Sequence, residues 1–177
     1  MSSSGRFTVK FRRKREGKTN YNKRLRMLLS GKPRLVIRKS LSNIYAQIVI
    51  YQKGGDSVLV SANSTELESH GWKLGCGNIP AAYLVGLLVA KKASKKSLNH
   101  AICDIGLFPS SKGSRLYAAL KGAIDGGLDV PHSDGILPDE KRLNGSHIAD
   151  YAKANNKPEL AGITAQFDAA KANILKL

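Results

Sequence analysis

Cysteines and long apolar runs are scarce in this chain of 177 residues. Two cysteines, Cys76 and Cys103, are too few for a disulfide framework, and Cys103 lies in the apolar run AICDIGL, where a reduced thiol packs well. The longest apolar run, 79–90, is interrupted by Pro80 and Gly86 and falls short of the roughly 18 residues that a membrane span requires. No apolar stretch follows the charges of the opening MSSSGRFTVK, so no signal peptide is expected. These absences predict a cytoplasmic protein that does not insert into membranes.

Acidic residues are almost missing from the first third of the chain. Residues 1–55 contain 15 Lys and Arg and one acid, Glu16, which is a net charge of +14. Residues 56–177 contain 14 Lys and Arg and 12 acids, which is a net charge of +2. A chain that concentrates its positive charge in this way is built to place one end against a polyanion. The candidates are nucleic acid, an anionic membrane and an acidic protein tail.

The order of sequence patterns predicts three regions. Residues 1–18 hold seven Lys or Arg and too few apolar groups to offset the entropy of ordering, which predicts a flexible basic arm. Residues 19–130 are expected to form an α/β domain, and residues 131–177 an ordered loop and a C-terminal helical extension. The hydrophobic fraction of 42% is sufficient for a buried core.

The α/β domain is expected to begin with a helix from Asn20, whose leucines dock on the domain while its cations face a partner. The next three predicted elements are strands, over 34–40, 44–52 and 57–62. In the second strand, alternation places Ile44, Ala46, Ile48 and Ile50 on a core face, and Tyr45, Gln47, Val49 and Tyr51 on a polar face. That polar face either contacts a polar partner or is solvated.

A buried helix, a fourth strand and a further helix complete the predicted domain. Asn78 caps the first of these helices, and its Gly86 would let another backbone approach. The expected fourth strand covers 101–107, the next helix begins near Ser114, and C-terminal helices cover 146–154 and 158–176. This order predicts an α/β, three-layer, ribonuclease-H-like motif with a mixed sheet: three antiparallel strands, then helix, parallel strand and helix.

Residues for catalysis or metal binding are absent from the expected positions. Nucleases with this type of motif need several carboxylates on the sheet to hold two metal ions, whereas only Asp104 is expected on a strand here. The four histidines show no metal-binding spacing, and neither cysteine lies in a C-x-x-C pattern. We therefore expect no enzyme activity, no metal and no cofactor.

The turn from Lys112 to Arg115 is a candidate phosphate site. A turn containing Gly113 that opens a helix presents free backbone N–H groups, and Lys112, Ser114 and Arg115 add donors around them. The alternative is an ordinary helix cap with solvated cations. A cap alone does not call for cations at the positive end of a helix, so we favour the phosphate site.

Six segments together resemble one known family: YNKRLRMLLSGKPRLVIRKSLSNIYAQIV, HGWK, GNIPAAYLVGLLVAKKA, AICDIGL, KGSRLYAALKGAIDGGLDVPHS and GSHIADYAK. Between about Arg6 and Lys153 the chain closely resembles the archaeal-type 5S-rRNA-binding protein family of the large ribosomal subunit (the ribosomal protein L eighteen family). The resemblance implies a seat in the central protuberance, binding to 5S rRNA and to the large-subunit rRNA, and neighbours such as ribosomal protein L five.

The predicted RNA contacts combine cations, which release counterions from phosphates, with polar and aromatic groups that reach sugars and unstacked bases. In the arm they are Arg6, Lys10, Phe11, Arg12, Arg13, Lys14, Arg15 and Lys18. In and after the first helix they are Tyr21, Lys23, Arg24, Arg26 and Lys32. On the sheet and its end they are Arg34, Arg38, Lys39, Ser40, Asn43, Tyr45 and Gln47, and at the later turn Lys112, Gly113, Ser114 and Arg115.

A second hypothesis remains open from the sequence: a catalytically inactive nuclease-like module that binds nucleic acid, or an anionic membrane, without specificity. The two hypotheses differ in how well the protein distinguishes 5S rRNA from random RNA of equal length. An RNA-processing enzyme is disfavoured, because the carboxylates it would need are missing.

Overall fold

A four-stranded mixed sheet forms the centre of the protein in the computed structural model, which describes residues 8–177. The strands are β1 (Arg34–Lys39), β2 (Ile44–Gln52), β3 (Gly55–Asn63) and β4 (Ile102–Asp104). Their order is β3-β2-β1-β4, in which β1, β2 and β3 are antiparallel neighbours and β4 runs parallel to β1. This sheet confirms the predicted ribonuclease-H-like α/β fold class.

Helices lie on both sides of the sheet. They are α1 (Arg12–Arg15), α2 (Tyr21–Leu28), α3 (Ile79–Ser94), α4 (Arg115–Asp125), α5 (Glu140–Leu143), α6 (Ser146–Ala154), α7 (Pro158–Ala161) and α8 (Ile163–Leu175), with 3-10 turns at Ser64–His70 and Asp134–Ile136. Helices α3 and α4 pack on one face of the sheet, and α2 is tied to the other face by a bond from Arg24 to Asp56 of β3. Within residues 8–177, no helix is both long enough and apolar enough to cross a bilayer.

The core is built around α3, as the apolar sequence of this helix predicts. Asn78 caps it by accepting a hydrogen bond of 2.8 Å from the backbone N–H of Ala81. Helices α3 and α4 approach through two glycines: a Cβ on Gly86 would lie 1.9 Å from the carbonyl oxygen of Ala119, and a Cβ on Gly122 would lie 2.0 Å from that of Tyr83. Only glycine fits at these two contacts, so the predicted role of Gly86 is confirmed.

Helix α8 packs on the core. Its residues Ile163, Phe167, Ala170 and Ile174 are buried there. The single helix expected over 158–176 is wrong in one respect, because it is interrupted at Gly162 and divides into α7 and α8.

Several boundaries and orientations differ from those expected. Strand β3 begins at Gly55 and therefore includes Asp56, and β4 ends at Asp104, shortly before the left-handed Gly106 (φ +66°) turns the chain. Ile50, expected on the core face, is exposed, and Val49 on the polar face is buried instead. The register shifts between Ile48 and Val49, which is the mark of a β-bulge, and alters the packing at this end of the strand.

Candidate nucleic-acid interface

The polar face of the sheet brings together four of the contact residues that were predicted on the strands. Arg38 of β1 lies opposite Tyr45 of β2, and Arg34 and Gln47 lie on the same face by alternation. The ring of Tyr45 is 42% exposed, and Gln47 is half-buried. The face therefore offers an accessible aromatic ring and an amide beside two arginines.

A chain of ion pairs crosses this face. Arg34 donates to Asp104 of β4 at 2.8 Å and to Asp56 of β3 at 2.6 Å. Arg24 of α2 binds Asp56 through two bonds of 2.7 and 2.8 Å, and Arg38 reaches Asp104 at 3.1 Å. The hydrogen bonds from Arg24, assisted by Arg34, hold the pKa of Asp56 below its ordinary value. The network joins α2, β1, β3 and β4.

The prediction that Arg34 contacts RNA is therefore corrected. Its side chain is buried, with 3% of the residue exposed, and both terminal nitrogens are bound to carboxylates. They cannot also reach a phosphate on the surface. Arg34 was predicted to contact RNA because the sequence shows a cation on a strand. The sequence does not show that two carboxylates lie next to it on the neighbouring parts of the sheet.

The carboxylates were also miscounted from the sequence. Asp56 lies on β3, so two acids, not Asp104 alone, are on the sheet. Asp104 is buried and both acids are occupied by arginines. In the described residues, no group of three or more His, Cys, Asp or Glu is placed to hold a metal ion. The arrangement is a structural network rather than a two-metal site.

Helix α2 is oriented differently from the prediction. Arg24 binds Asp56 and Lys23 donates to the carbonyl oxygen of Gly106 at 3.3 Å, so two of its cations face the domain. Leu25 and Leu29, which were expected to dock, are exposed, Leu29 to 77%. The ion pair with Asp56 fixes this rotation, since a helix cannot present both its Arg24 side and its Leu25–Leu29 side to the same sheet.

The loop between β1 and β2 is held by Arg115 from the start of α4. Its guanidinium donates to the carbonyl oxygen of Gly77 at 2.6 Å and, at 3.4 Å each, to those of Ser40 and Leu41. Within the loop, the Asn43 N–H donates to the Ser40 hydroxyl at 2.9 Å. Arg115 therefore positions the loop that carries two predicted contact residues.

At the same turn, the ammonium of Lys112 is accessible, whereas the hydroxyl of Ser114 is shielded. Lys112 is exposed and has no hydrogen-bond or ion-pair partner in the part of the chain that is described. Gly113 has a φ of +65°, which favours glycine, and Ser114 is the residue before α4. The Ser114 hydroxyl is buried without a partner in residues 8–177. Lys112 fits a phosphate contact, whereas Arg115 is already engaged.

The basic arm is exposed where the structure describes it, and Arg6 lies outside the described residues. The ring of Phe11 packs 5.2 Å from that of Tyr21, Arg13 donates to the Thr19 hydroxyl at 2.9 Å, and Lys18 pairs with Glu16 at 2.9 Å. The ammonium of Lys39 lies 5.5 Å from the centre of the Phe108 ring. The other predicted cations here are exposed: Lys10, Arg12, Lys14, Arg15, Arg26 and Lys32.

The arm, α2 and the polar face border a single open cavity of about 880 Å³. Six cationic side chains and two carboxylates line it: Arg13, Lys18, Lys23, Arg24, Arg34 and Arg38, with Asp56 and Asp104. Both carboxylates are paired, so the surplus at the cavity is positive. Eight of the 20 contacts predicted in the arm, the helix and the sheet line this cavity: Arg13, Lys18, Tyr21, Lys23, Arg24, Arg34, Arg38 and Gln47.

A family model described as ribosomal large subunit proteins 60S L5 and 50S L18 matches residues 5–102 and 91–133. The chain belongs to this family. It is 54% identical over 154 residues to the large ribosomal subunit protein uL18 of Methanococcus maripaludis, which covers 87% of this chain and 80% of the relative. It is 56% identical over 153 residues to the uL18 of Korarchaeum cryptofilum, covering 86% and 78%. The family resemblance inferred from the sequence, in its archaeal form, is confirmed.

Proposed function

We propose that this protein binds 5S rRNA and anchors it to the large-subunit rRNA in the central protuberance of the ribosome, as a structural component without catalytic activity. The observation that carries the proposal is the continuous cationic surface formed by the arm, α2 and the polar face of the sheet. Membership of a family of large-subunit ribosomal proteins supports an rRNA rather than another polyanion. The protein would then reside in the cytoplasm, on the ribosome.

The parts of this surface have different physical roles. Exposed cations of the arm neutralise phosphates and release counterions, which provides affinity that depends on salt but not on sequence. The folded face and the loop held by Arg115 have a fixed shape, which suits the recognition of RNA by its form, its sugars and its unstacked bases. Neighbouring ribosomal proteins, including ribosomal protein L five, are the expected protein partners.

Binding measured at physiological salt tests the proposal. We expect the protein to prefer 5S rRNA over a scrambled RNA of equal length and composition by at least about a thousandfold, the lower end of the specificity ratios typical of nucleic-acid-binding proteins. Arg26→Ala on the surface should weaken binding, while Lys153→Ala on α6, outside the predicted surface, should not. Equal affinity for both RNAs would favour the alternative, a nuclease-like module that binds nucleic acid without specificity.

A further inference from the structure

The floor of the cavity under α2 includes three valines beside the charged and polar side chains of the sheet. Val36 of β1, Val49 of β2 and Val58 of β3 all line it, and Val49 lies directly opposite Val58 in the sheet register. Tyr21 and Phe108 contribute aromatic rings to the same lining. Pockets of roughly 300–1,000 Å³ with an apolar lining and a few polar groups are typical binding sites for small molecules. At about 880 Å³, this cavity has room for a group of that size.

Polar and charged groups at the cavity are available to a ligand. Gln47 adds an amide, which can both donate and accept. Lys23 and Arg13, at the same lining, supply positive charge without a carboxylate partner in the described chain.

These features together select the chemistry of the occupant. A bare phosphate gains nothing from three valines, because it would have to lose water against an apolar surface. A basic peptide segment would be repelled by the surplus of cations. A planar ring with hydrogen-bonding edges and an anionic group matches the three valines, the amide of Gln47 and the cations.

We propose that this cavity binds a single unpaired nucleotide, its base against Val36, Val49 and Val58 and its phosphate toward Lys23 and Arg13. The inference rests on the proposed function in one respect: the bound rRNA would supply the nucleotide. A free mononucleotide has the same chemical groups and is the second possible source of the bound nucleotide. Binding here would couple the arm and α2 to the sheet, since the ligand would contact all three.

Replacing one of the three valines tests the inference without changing any charge. Val58→Phe covers part of the cavity floor with a larger ring, and because Val58 is 50% exposed the fold should tolerate it. Ile50→Phe is the matched control, since it places the same ring at an exposed position on the opposite face of the neighbouring strand. We expect Val58→Phe to lower 5S rRNA affinity at least tenfold at an unchanged melting temperature, with a salt slope reduced by about 1 for the lost phosphate contact, and Ile50→Phe to bind like the wild type.

A second variant distinguishes a loss of binding from a loss of folding stability. Gln47→Met removes the amide with little change in length, and we expect it to weaken the same binding while the melting temperature stays within a degree or two of the wild type. Titration of AMP and of UMP into the wild type and into Val58→Phe, followed by tyrosine fluorescence, tests the second source. Millimolar binding by the wild type alone would show that a free mononucleotide is accepted.

The outcomes separate this inference from the proposed function. If the wild type prefers 5S rRNA and Val58→Phe retains that affinity, and neither binds mononucleotides, the cavity inference is overturned and the proposed function stands. If the wild type does not distinguish 5S rRNA from scrambled RNA, the proposed function fails and the mononucleotide titration alone decides the inference. Loss of a ribosomal protein partner in Val58→Phe, with RNA binding intact, would show that the cavity holds a peptide and would overturn it.

Discussion

Replacing Arg34 by methionine should destabilise the protein far more than the loss of an exposed arginine. The two side-chain bonds of Arg34, at 2.6 and 2.8 Å, lie in a site where Arg34 and Asp104 are each about 95% buried. Removing one partner of a buried ion pair costs about 3–5 kcal/mol. Asp104 would retain Arg38 at 3.1 Å and the N–H of Gly106 at 2.8 Å, so we expect the lower value, about 3 kcal/mol.

Urea unfolding followed by circular dichroism measures this effect, with Arg26→Met on the exposed side of α2 as the matched control. At about 2–4 °C per kcal/mol for a protein of this size, the melting temperature of Arg34→Met should fall by roughly 6–12 °C. Arg26→Met should change the free energy of unfolding by less than about 0.5 kcal/mol. Combining Arg34→Met with Asp104→Leu should recover part of the loss, because the isolated carboxylate is removed. Equal, small effects of Arg34→Met and Arg26→Met would refute the assignment of Arg34 to the interior.

Three further predictions concern the arm, the turn before α4 and acid stability. Removal of residues 1–18, with seven Lys or Arg, should lower the slope of log affinity against log salt by roughly 3–4 if about four of them meet phosphate, and an unchanged slope would contradict the role of the arm. Lys112→Ala should weaken rRNA binding about tenfold at constant melting temperature, whereas Arg115→Ala should cost about 1.5–3 kcal/mol in urea unfolding because the Gly77 carbonyl loses its donor. Since Arg24 lowers the pKa of Asp56, their pair stabilises the fold above the unfolded pKa of 3.8 and loses this effect as the pH falls below it. Acid titration of Arg24→Gln should show a shallower loss of stability there than that of the wild type.

Features set by local sequence were predictable. The apolar run after Asn78 could only be a buried helix, and the cap, Gly86 and the packing against α4 follow from residues close together in the chain. The alternation in β2 likewise placed Tyr45 and Gln47 on one face. In each case the period of the apolar residues determines which side is buried, and the rest of the protein does not need to be known.

Features that depend on distant residues were not predictable. Arg34 binds Asp104, which is 70 positions away in the chain, and Asp56, which is 22 positions away. The sequence around each of these residues does not indicate that they pair. The prediction did not include these ion pairs, and for this reason it gave α2 the wrong rotation. The bond between Arg24 and Asp56 turns the Arg24 side of the helix toward the sheet and leaves Leu25 exposed. The third strand was predicted to begin at Ser57, so the prediction left out Asp56, the one acid of β3, on which the arrangement depends. The division of the chain into arm, domain and extension stays a prediction.

The distribution of bonded and unbonded cations determines how the charge of the first third can act. Three arginines, Arg24, Arg34 and Arg38, bind the carboxylates of Asp56 and Asp104 through their terminal nitrogens. They therefore hold the sheet and α2 in one arrangement and are less free to bind phosphates. The cations of the arm that the structure describes have no carboxylate partner apart from Glu16, whose pairs with Arg12 and Lys18 are weak and solvated. Counterion release, and with it the salt dependence, should therefore come mainly from the arm, while the discrimination between RNAs should come from the rigid face that the internal pairs maintain. It follows that deletion of the arm should reduce affinity for 5S and scrambled RNA by similar factors, and that a change in their ratio would place the specificity in the arm.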